Sequence, residues 1–438
     1  MYQLYAPGCS YGFPCLAEGM VAGMSRTRYL TAREAAEELG VSLKTLYAYV
    51  SRGLIRSEAI GGKRRNRRYR AEDVRRLKER KEQRRDPDRT TESALYWGSP
   101  VMESALTLIT DGRMYYRGRD AITLSEDHSL EQVAELIWTG SMTQGDRARL
   151  PELFRPYART VVPKHLGLEG REVGLGSPTE AFGMALQDAA ARDPAAYNLR
   201  SAAVARTGAR ILSLLVAVAT GARRDAQDTI AQALQRSWVP GEAGAATLLD
   251  RALVLCADHE LNVSSFTARC VASAGATPYA VVVAGLAALG GVKHGANTVR
   301  VEAFAAEIEA AGGAREVMAS RLRRGELVPG FGHQLYSEGD PRGETLLTAV
   351  AAAYPDSEAS KLANESAEAA SDLMDQRPNV DFALVVLARA LGLPAGGALA
   401  LFALGRMVGW VGHAIEQYET DKIIRPRARY VGEQPTDA

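Results

Sequence analysis

The sequence predicts a mostly all-α protein, a long helical body preceded by a small basic unit of short helices. Three observations predict it. From about residue 95 onward Ala, Leu and Val recur at helical spacing, with Gly and Pro between segments and hardly any period-2 pattern. An almost wholly charged run with a proline breaker, Lys78 to Arg89 (KERKEQRRDPDR), separates that body from what precedes it. Charge is also lopsided: 53 Lys+Arg nearly cancel 52 Asp+Glu, yet residues 26–89 carry +10 and the remainder −9. With 438 residues, 46% of them apolar, the chain can build two or three domains with sizeable cores, and a disordered chain is excluded.

Residues 1–25 are mildly apolar but lack the basic start and compact hydrophobic stretch of a signal peptide, so they read as a poorly ordered extension, with Met20 or Met24 as candidate starts. Tyr29 to Gly40 reads as a helix: Thr31 is an N-cap, Glu34 follows three residues later, and Ala35, Ala36 and Leu39 share a face. A second helix opens at Ser42, with Leu46, Tyr47 and Val50 as its buried stripe and Lys44, Thr45, Tyr49 and Arg52 outside. Gly53 stops it. A basic segment, Gly61 to Arg70 (GGKRRNRRYR), then lies before a third helical pattern from Ala71, in the place of a wing.

This layout resembles the helix-turn-helix of MerR and excisionase-type DNA-binding domains over roughly residues 28–80. The resemblance implies a double-stranded DNA partner. The Ser42–Arg52 helix, with Lys44, Thr45, Tyr49 and Arg52, is then expected in the major groove. Lys63, Arg64, Arg65, Arg67 and Arg68 hold phosphates, which supply affinity more than sequence reading. A solvated basic face, or an interaction module that never meets DNA, is the plainer alternative. The unit is placed at residues 26–85 and a charged linker at 86–94.

Four cysteines (Cys9, Cys15, Cys256, Cys270) are too few for a disulfide framework and form no CxxC pair, so a reducing, cytoplasmic setting is expected. The longest apolar runs fall short of the roughly 18 to 20 residues that span a bilayer, and no membrane segment is expected.

The body holds the chemistry. Of six histidines, three sit in glycine-rich or polar breaks between apolar helices: His259 in Asp258-His259-Glu260-Leu261-Asn262, His294 in Gly290-Gly291-Val292-Lys293-His294-Gly295, and His333 in Pro329-Gly330-Phe331-Gly332-His333. Glycine beside a histidine lets backbone approach a ligand closely. A zinc site is not expected, because Val263 stands where HExxH needs its second histidine. A P-loop, a GxGxxG after a strand and a GxSxG elbow are all missing from the sequence.

Several separated motifs, in order and spacing, resemble those of citrate synthase across about residues 95–430. They are His294-Gly295, Gly330-Phe331-Gly332-His333 with Asp340-Pro341-Arg342, and Asn379-Val380-Asp381-Phe382. Tyr116-Arg117-Gly118-Arg119-Asp120, the stretch Asp258 to Ser264, and Gly405-Arg406 through Ile424-Arg425-Pro426-Arg427 add to them. The resemblance implies large (95–294 and 388–438) and small (295–387) helical domains, behind the small winged helix-turn-helix domain.

It also implies a Claisen condensation of acetyl-CoA with oxaloacetate, coenzyme A entering as cosubstrate and no cofactor being bound permanently. Asp381 is then the base for the thioester methyl group, in an apolar setting that raises its pKa. His294 donates to the oxygen that becomes enolate, and His333 polarises the ketone of oxaloacetate. His259, Arg342, Arg406 and Arg425 hold the dianion, guanidinium forks suiting carboxylates. The last arginine reaches the partner subunit in the family, which implies a homodimer whose small domains close on the substrates, oxaloacetate binding first.

The chain departs from the family at Gln334 and Ser337, where members commonly carry basic residues, and reads Gly-Ala-Asn-Thr after His294 where Gly-Gly-Ala-Asn is usual. Two other readings stay open. One is a transcription regulator that uses the fold to sense metabolites, which has no need of Asp381 as a base. The other is a 2-methylcitrate synthase using propionyl-CoA, since one methylene is worth only about 1–3 kcal/mol of discrimination.

Overall fold

The computed structural model describes residues 29–52, 54–59, 67–71, 73, 74, 77, 102–143, 145–147, 150–157, 160, 177–221, 227–295 and 297–433. The chain divides into two compact units, Met1–Glu103 and Ser104–Ala438. The expected extension at 1–25, the charged linker at 86–94, and Lys63, Arg64 and Arg65 lie outside the described residues.

In the first unit, β1 (Tyr29–Leu30) leads into α1 (Ala32–Glu38) and α2 (Leu43–Ser51). Thr31 caps α1 in a full capping box with Glu34, so Tyr29 and Leu30 are left extended instead of helical as expected. Ser42 caps α2, and its hydroxyl accepts from the Thr45 N–H. Gly40, at φ +60°, makes the turn between the two. The wing is a hairpin of β2 (Ser57–Ala59) and β3 (Arg67–Arg70), Ser57 opposite Tyr69, and β3 also pairs with β1. Arg56 closes its base by a bidentate pair with Asp73 at 2.9 Å.

The buried stripe of α2 is corrected. Leu46 is fully buried and Tyr49 and Val50 pack on the unit's core, whereas Tyr47 is 51% exposed. Residues three and four positions from Leu46 share its face at 100° per residue, and its immediate neighbour does not.

The second unit is one helical body with a single large core. It opens on a three-stranded sheet that the sequence reading did not anticipate: β4 (Thr107–Thr110), β5 (Arg113–Tyr116) and β6 (Arg119–Asp120). Two-residue turns join them, Asp111-Gly112 and Arg117-Gly118, all four at positive φ as tight hairpins require. Then follow α3 (Ala121–Asp127), α4 (Leu130–Thr139), α5 (Pro178–Ala190), α6 (Ser201–Thr220), α7 (Ile230–Trp238), α8 (Ala245–Leu255), α9 (Val263–Ser273) and α10 (Pro278–Leu289). Thr277 caps α10 and Pro278 occupies its first turn, as the sequence predicts. The remainder is α11 (Asn297–Ala311), α12 (Ala314–Arg323), α13 (Pro341–Ala353), α14 (Glu358–Met374), α15 (Val380–Leu391) and α16 (Gly397–Thr420).

By length and hydropathy alone α6 and α16 could cross a bilayer, but 83% and 100% of their apolar windows are buried inside the body, so they are core helices. Around α16 the others gather: α4, α6, α8, α9 and α10 all pack against it. Close approach is possible because a Cβ at Gly405 would lie 2.5 Å from the Leu253 carbonyl, and one at Gly409 would lie 2.6 Å from that of Ala257. The turn after α8, which carries His259, therefore rests directly on the α16 backbone, and the Gly409 N–H donates to the Ala257 carbonyl at 2.9 Å.

Candidate active site

Four segments of the body meet at one place. The first is the α8–α9 turn. Asp258 and His259 are buried there, and β4 and β5 buttress them: Tyr116 donates to the Val254 carbonyl at 3.0 Å, and Thr107 donates to Asp258 at 2.6 Å. Behind the turn the other Asp258 oxygen faces His413 of α16 at 3.3 Å, and Arg269 runs from His413 to Glu416 and Gln417. Burial works to raise the Asp258 pKa, but His413 and Arg406 prevail and hold it low.

The second segment is the Gly330–Arg342 loop, zipped to the residues before α15. Gly332 donates to the Arg377 carbonyl and Asn379 to that of Gly330, both at 2.9 Å. His333 and His259 meet with ring centroids 5.1 Å apart, and Tyr336 packs on both, its hydroxyl 3.0 Å from His259 Nε2. The Leu335 N–H donates to His333 Nδ1 at 3.1 Å, which puts the ring proton on Nε2. Arg342 is 3% exposed and forks onto Asp340 at 2.9 and 2.8 Å. With the Nε–H and one Nη2–H so committed, the second Nη2–H and the two Nη1 protons are what it has to offer a ligand.

The third segment is the α10–α11 turn bearing His294. Its Nε2 lies 2.8 Å from Ser264 Oγ, which accepts from the Trp410 indole at 3.1 Å and donates to Asn262 Oδ1 at 2.8 Å. The fourth is the start of α15, where Asn379 caps the helix and Asp381 follows in its first turn. The Asn297 amide donates to Asp381 Oδ2 at 2.9 Å, while the Asn297 backbone N–H donates to the His294 carbonyl at 2.9 Å. One residue thus links the carboxylate to the histidine's own turn. Asp381 Oδ1 is out of solvent with no hydrogen-bond partner.

Electrostatics follow from burial under two guanidiniums. Burial and then Arg406 lower His294 to about 4, and burial and then Arg342 lower His333 to about 4. Burial, Arg342 and Arg406 put His259 well below the usual range. All three rings are therefore neutral near pH 7. Burial raises Asp381 to about 6, against the pull of Asn297 and Arg342. Arg406, 1% exposed, donates to the Cys256 carbonyl at 2.8 Å and lies 4.9 Å from the Phe402 ring, which itself contacts His294.

Of the residues singled out from sequence, His259, His294, His333, Asp381, Arg342 and Arg406 thus come together. Arg425 does not: it is exposed in the extended segment after α16, without a hydrogen bond or ion pair to the cluster in this chain. Sequence reasoning passed over Tyr336 and Trp410, and quoted Asn262, Ser264 and Asn297 without a role for any of them. Asn262, Ser264 and Asn297 stand in the quoted motifs and carried a signal; Tyr336 and Trp410 are recognisable only by long-range contact. Among the described residues no group of three or more His, Cys, Asp or Glu is placed to hold a metal ion.

In the first unit, Lys44 and Arg52 are exposed on α2, and Thr45 is half-buried with its hydroxyl 3.0 Å from that of Ser42. Tyr49, expected on the outer face, is instead half-buried against the core. Of the arginines expected to hold phosphates, Arg67 and Arg68 are described, and both are engaged by neighbouring side chains. Arg67 donates to Ser57, while Arg68 pairs with Glu58 at 3.0 Å and stacks on Tyr29 at 4.0 Å.

The helix-turn-helix domain family model matches residues 29–82. The citrate synthase of Haloferax volcanii is 31% identical over 363 residues, which cover 78% of this chain and 96% of that protein. The 2-methylcitrate synthase 2 of Corynebacterium glutamicum is 29% identical, over 73% of this chain and 88% of its own length. Among solved structures, citrate synthase from Thermotoga maritima MSB8 superposes with a TM-score of 0.65 at 26% identity, covering 78% of this chain and 95% of the other. The family model for citrate synthase, C-terminal domain, matches residues 95–427, and with the whole body accounted for in this way the chain belongs to the citrate synthase family.

Proposed function

We propose that the chain condenses acetyl-CoA with oxaloacetate, releasing citrate and coenzyme A, and that the six clustered side chains carry the reaction. The observation that carries this reading is the Asn297 link, which holds Asp381 at 2.9 Å and is itself bonded to the His294 turn.

Asp381, raised to about 6, is ionised at neutral pH yet basic enough to take a proton from the thioester methyl group. His294 stays neutral and donates to the thioester oxygen as negative charge develops there. That requires its proton on Nδ1, a state reached when the Ser264 hydroxyl, held by the Trp410 indole, turns its proton from Asn262 Oδ1 to His294 Nε2. The new carbon–carbon bond forms at the oxaloacetate ketone, whose oxygen takes charge facing the Nε2–H of His333. Water then cleaves the thioester. His259, Arg342 and Arg406 hold the dianion, and Arg425 completes the site of the partner subunit in a homodimer. Domain closure of residues 295–387 on 95–294 and 388–438 keeps water from the enolate. Cytoplasmic metabolism is the setting this reading implies.

A thiol-release assay with oxaloacetate tests the proposal: turnover is expected from the wild type and is lost in Asp381→Ala and His294→Ala. Likeness to 2-methylcitrate synthases favours propionyl-CoA as a second acyl donor, read by running both thioesters side by side. The amino-terminal unit is proposed to bind double-stranded DNA, a homodimer presenting two copies to a palindrome. Lys44 and Arg52 face the groove, and Lys63, Arg64 and Arg65 hold phosphates, with Arg67 and Arg68 bracing the wing. Affinity should fall steeply with salt, less so in Arg64→Ala with Arg65→Ala; salt-independent binding refutes it.

A further inference from the structure

The pair formed by His259 and Tyr336 does more than fill space. Tyr336 is 3% exposed, and its hydroxyl stands 3.0 Å from His259 Nε2. Its ring lies 4.8 Å from that of His333, and the Arg342 guanidinium carbon sits 5.8 Å from its centroid. The phenol and the imidazole are both neutral near pH 7, so the two groups bring one O–H and one N–H to a single hydrogen bond.

Which proton lies in that bond is a matter of donor and acceptor strength. A phenol is the stronger donor, and the lone pair of a neutral imidazole is a far better acceptor than a phenolic oxygen. A cation near the tyrosine ring withdraws electron density and strengthens the O–H further.

We propose that Tyr336 is a positioning residue for oxaloacetate, donating its hydroxyl proton to His259 Nε2 and thereby keeping the imidazole proton on Nδ1. This rests on the synthase reading of the site. His333, its proton placed on Nε2 by the Leu335 N–H, then stands beside a His259 protonated on the other nitrogen. Each ring has one N–H to give an anionic substrate, and neither competes for the other's acceptor. Tyr336 and His333 also share one loop, so any displacement of that loop carries away the group that orients His259.

The test uses the full chain with labelled histidine rings, whose nitrogen resonances distinguish the two tautomers, His259 being assigned from His259→Gln. Wild-type His259 is expected protonated on Nδ1, and Tyr336→Phe, which keeps the buried ring, releases it to a mixture. The loss of one neutral hydrogen bond raises the oxaloacetate KM roughly three- to tenfold, with the acyl-CoA KM unchanged. Wild-type His259 protonated on Nε2, or an unchanged oxaloacetate KM in Tyr336→Phe, overturns the inference. The tautomer is read without turnover, so absence of thiol release counts against the synthase reading alone. In that event the tautomer, with oxaloacetate affinity by calorimetry, decides this one.

Discussion

Replacing Asn297 with alanine removes the hydrogen bond donated to Asp381 while leaving every proposed catalytic group in place. The bond is 2.9 Å long and reaches a carboxylate whose other oxygen is buried without a partner, so nothing nearby replaces it. A hydrogen bond to a charged group contributes about 1.5–3 kcal/mol, and about 1.4 kcal/mol moves a pKa by one pH unit. Asn297 favours the ionised form, so its loss raises Asp381 from about 6 to about 7–8. The acid limb of kcat/KM, followed by thiol release from pH 5 to 9, shifts upward by the same amount. At pH 7 the ionised fraction falls from roughly nine-tenths to between a half and a tenth, and activity returns as the pH approaches 9. An acid limb that stays near 6 in Asn297→Ala, or a loss of rate equal at every pH, refutes the assignment of Asp381 as the base tuned by Asn297.

Two further outcomes follow from the same geometry. Asp381 has a folded-state pKa of about 6 against an ordinary 3.8, so the folded chain holds that proton more tightly and loses stability as pH rises through this window. At pH 7 the ionised carboxylate costs at most about 3 kcal/mol, so Asp381→Asn abolishes turnover yet raises the thermal midpoint, a gain that disappears near pH 4. At Gly285 a Cβ would lie 2.4 Å from the Trp410 ring, so Gly285→Ala should cost about 1–3 kcal/mol in denaturant unfolding. Because Trp410 holds Ser264 against His294, its kcat should fall with oxaloacetate affinity retained; an undisturbed kcat at reduced stability breaks that link.

Much of the fold is legible locally. Thr31, Ser42 and Thr277 act as caps where their spacing says they should, because a cap is decided by residues three positions away. Tyr47 and Tyr49 exchange places because adjacent aromatics on a short helix look alike until the angle from Leu46 is measured. The β4–β6 sheet escaped notice although Asp111-Gly112 is a hairpin signal, since strands of two to four residues are too short to show alternation. At the site, histidines announce themselves by the glycines beside them. Tyr336 and Trp410 carry no such mark, and Asn297 is marked only by its place in the run after His294; their contacts with His259, Ser264 and Asp381 cross 77, 146 and 84 positions of chain.

From Gly397 to Ile415 every residue of α16 is buried. A helix with no face on water exchanges its amide protons only when the whole body opens, whereas surface helices fray alone. Arg406, Trp410 and His413 all grow from this rod, so the groups that back the candidate site keep their places through local breathing of the surrounding turns. Adaptation of this scaffold to another acyl chain is therefore cheapest in the loops above, while a side chain added on the glycine face of α16 strikes at the foundation.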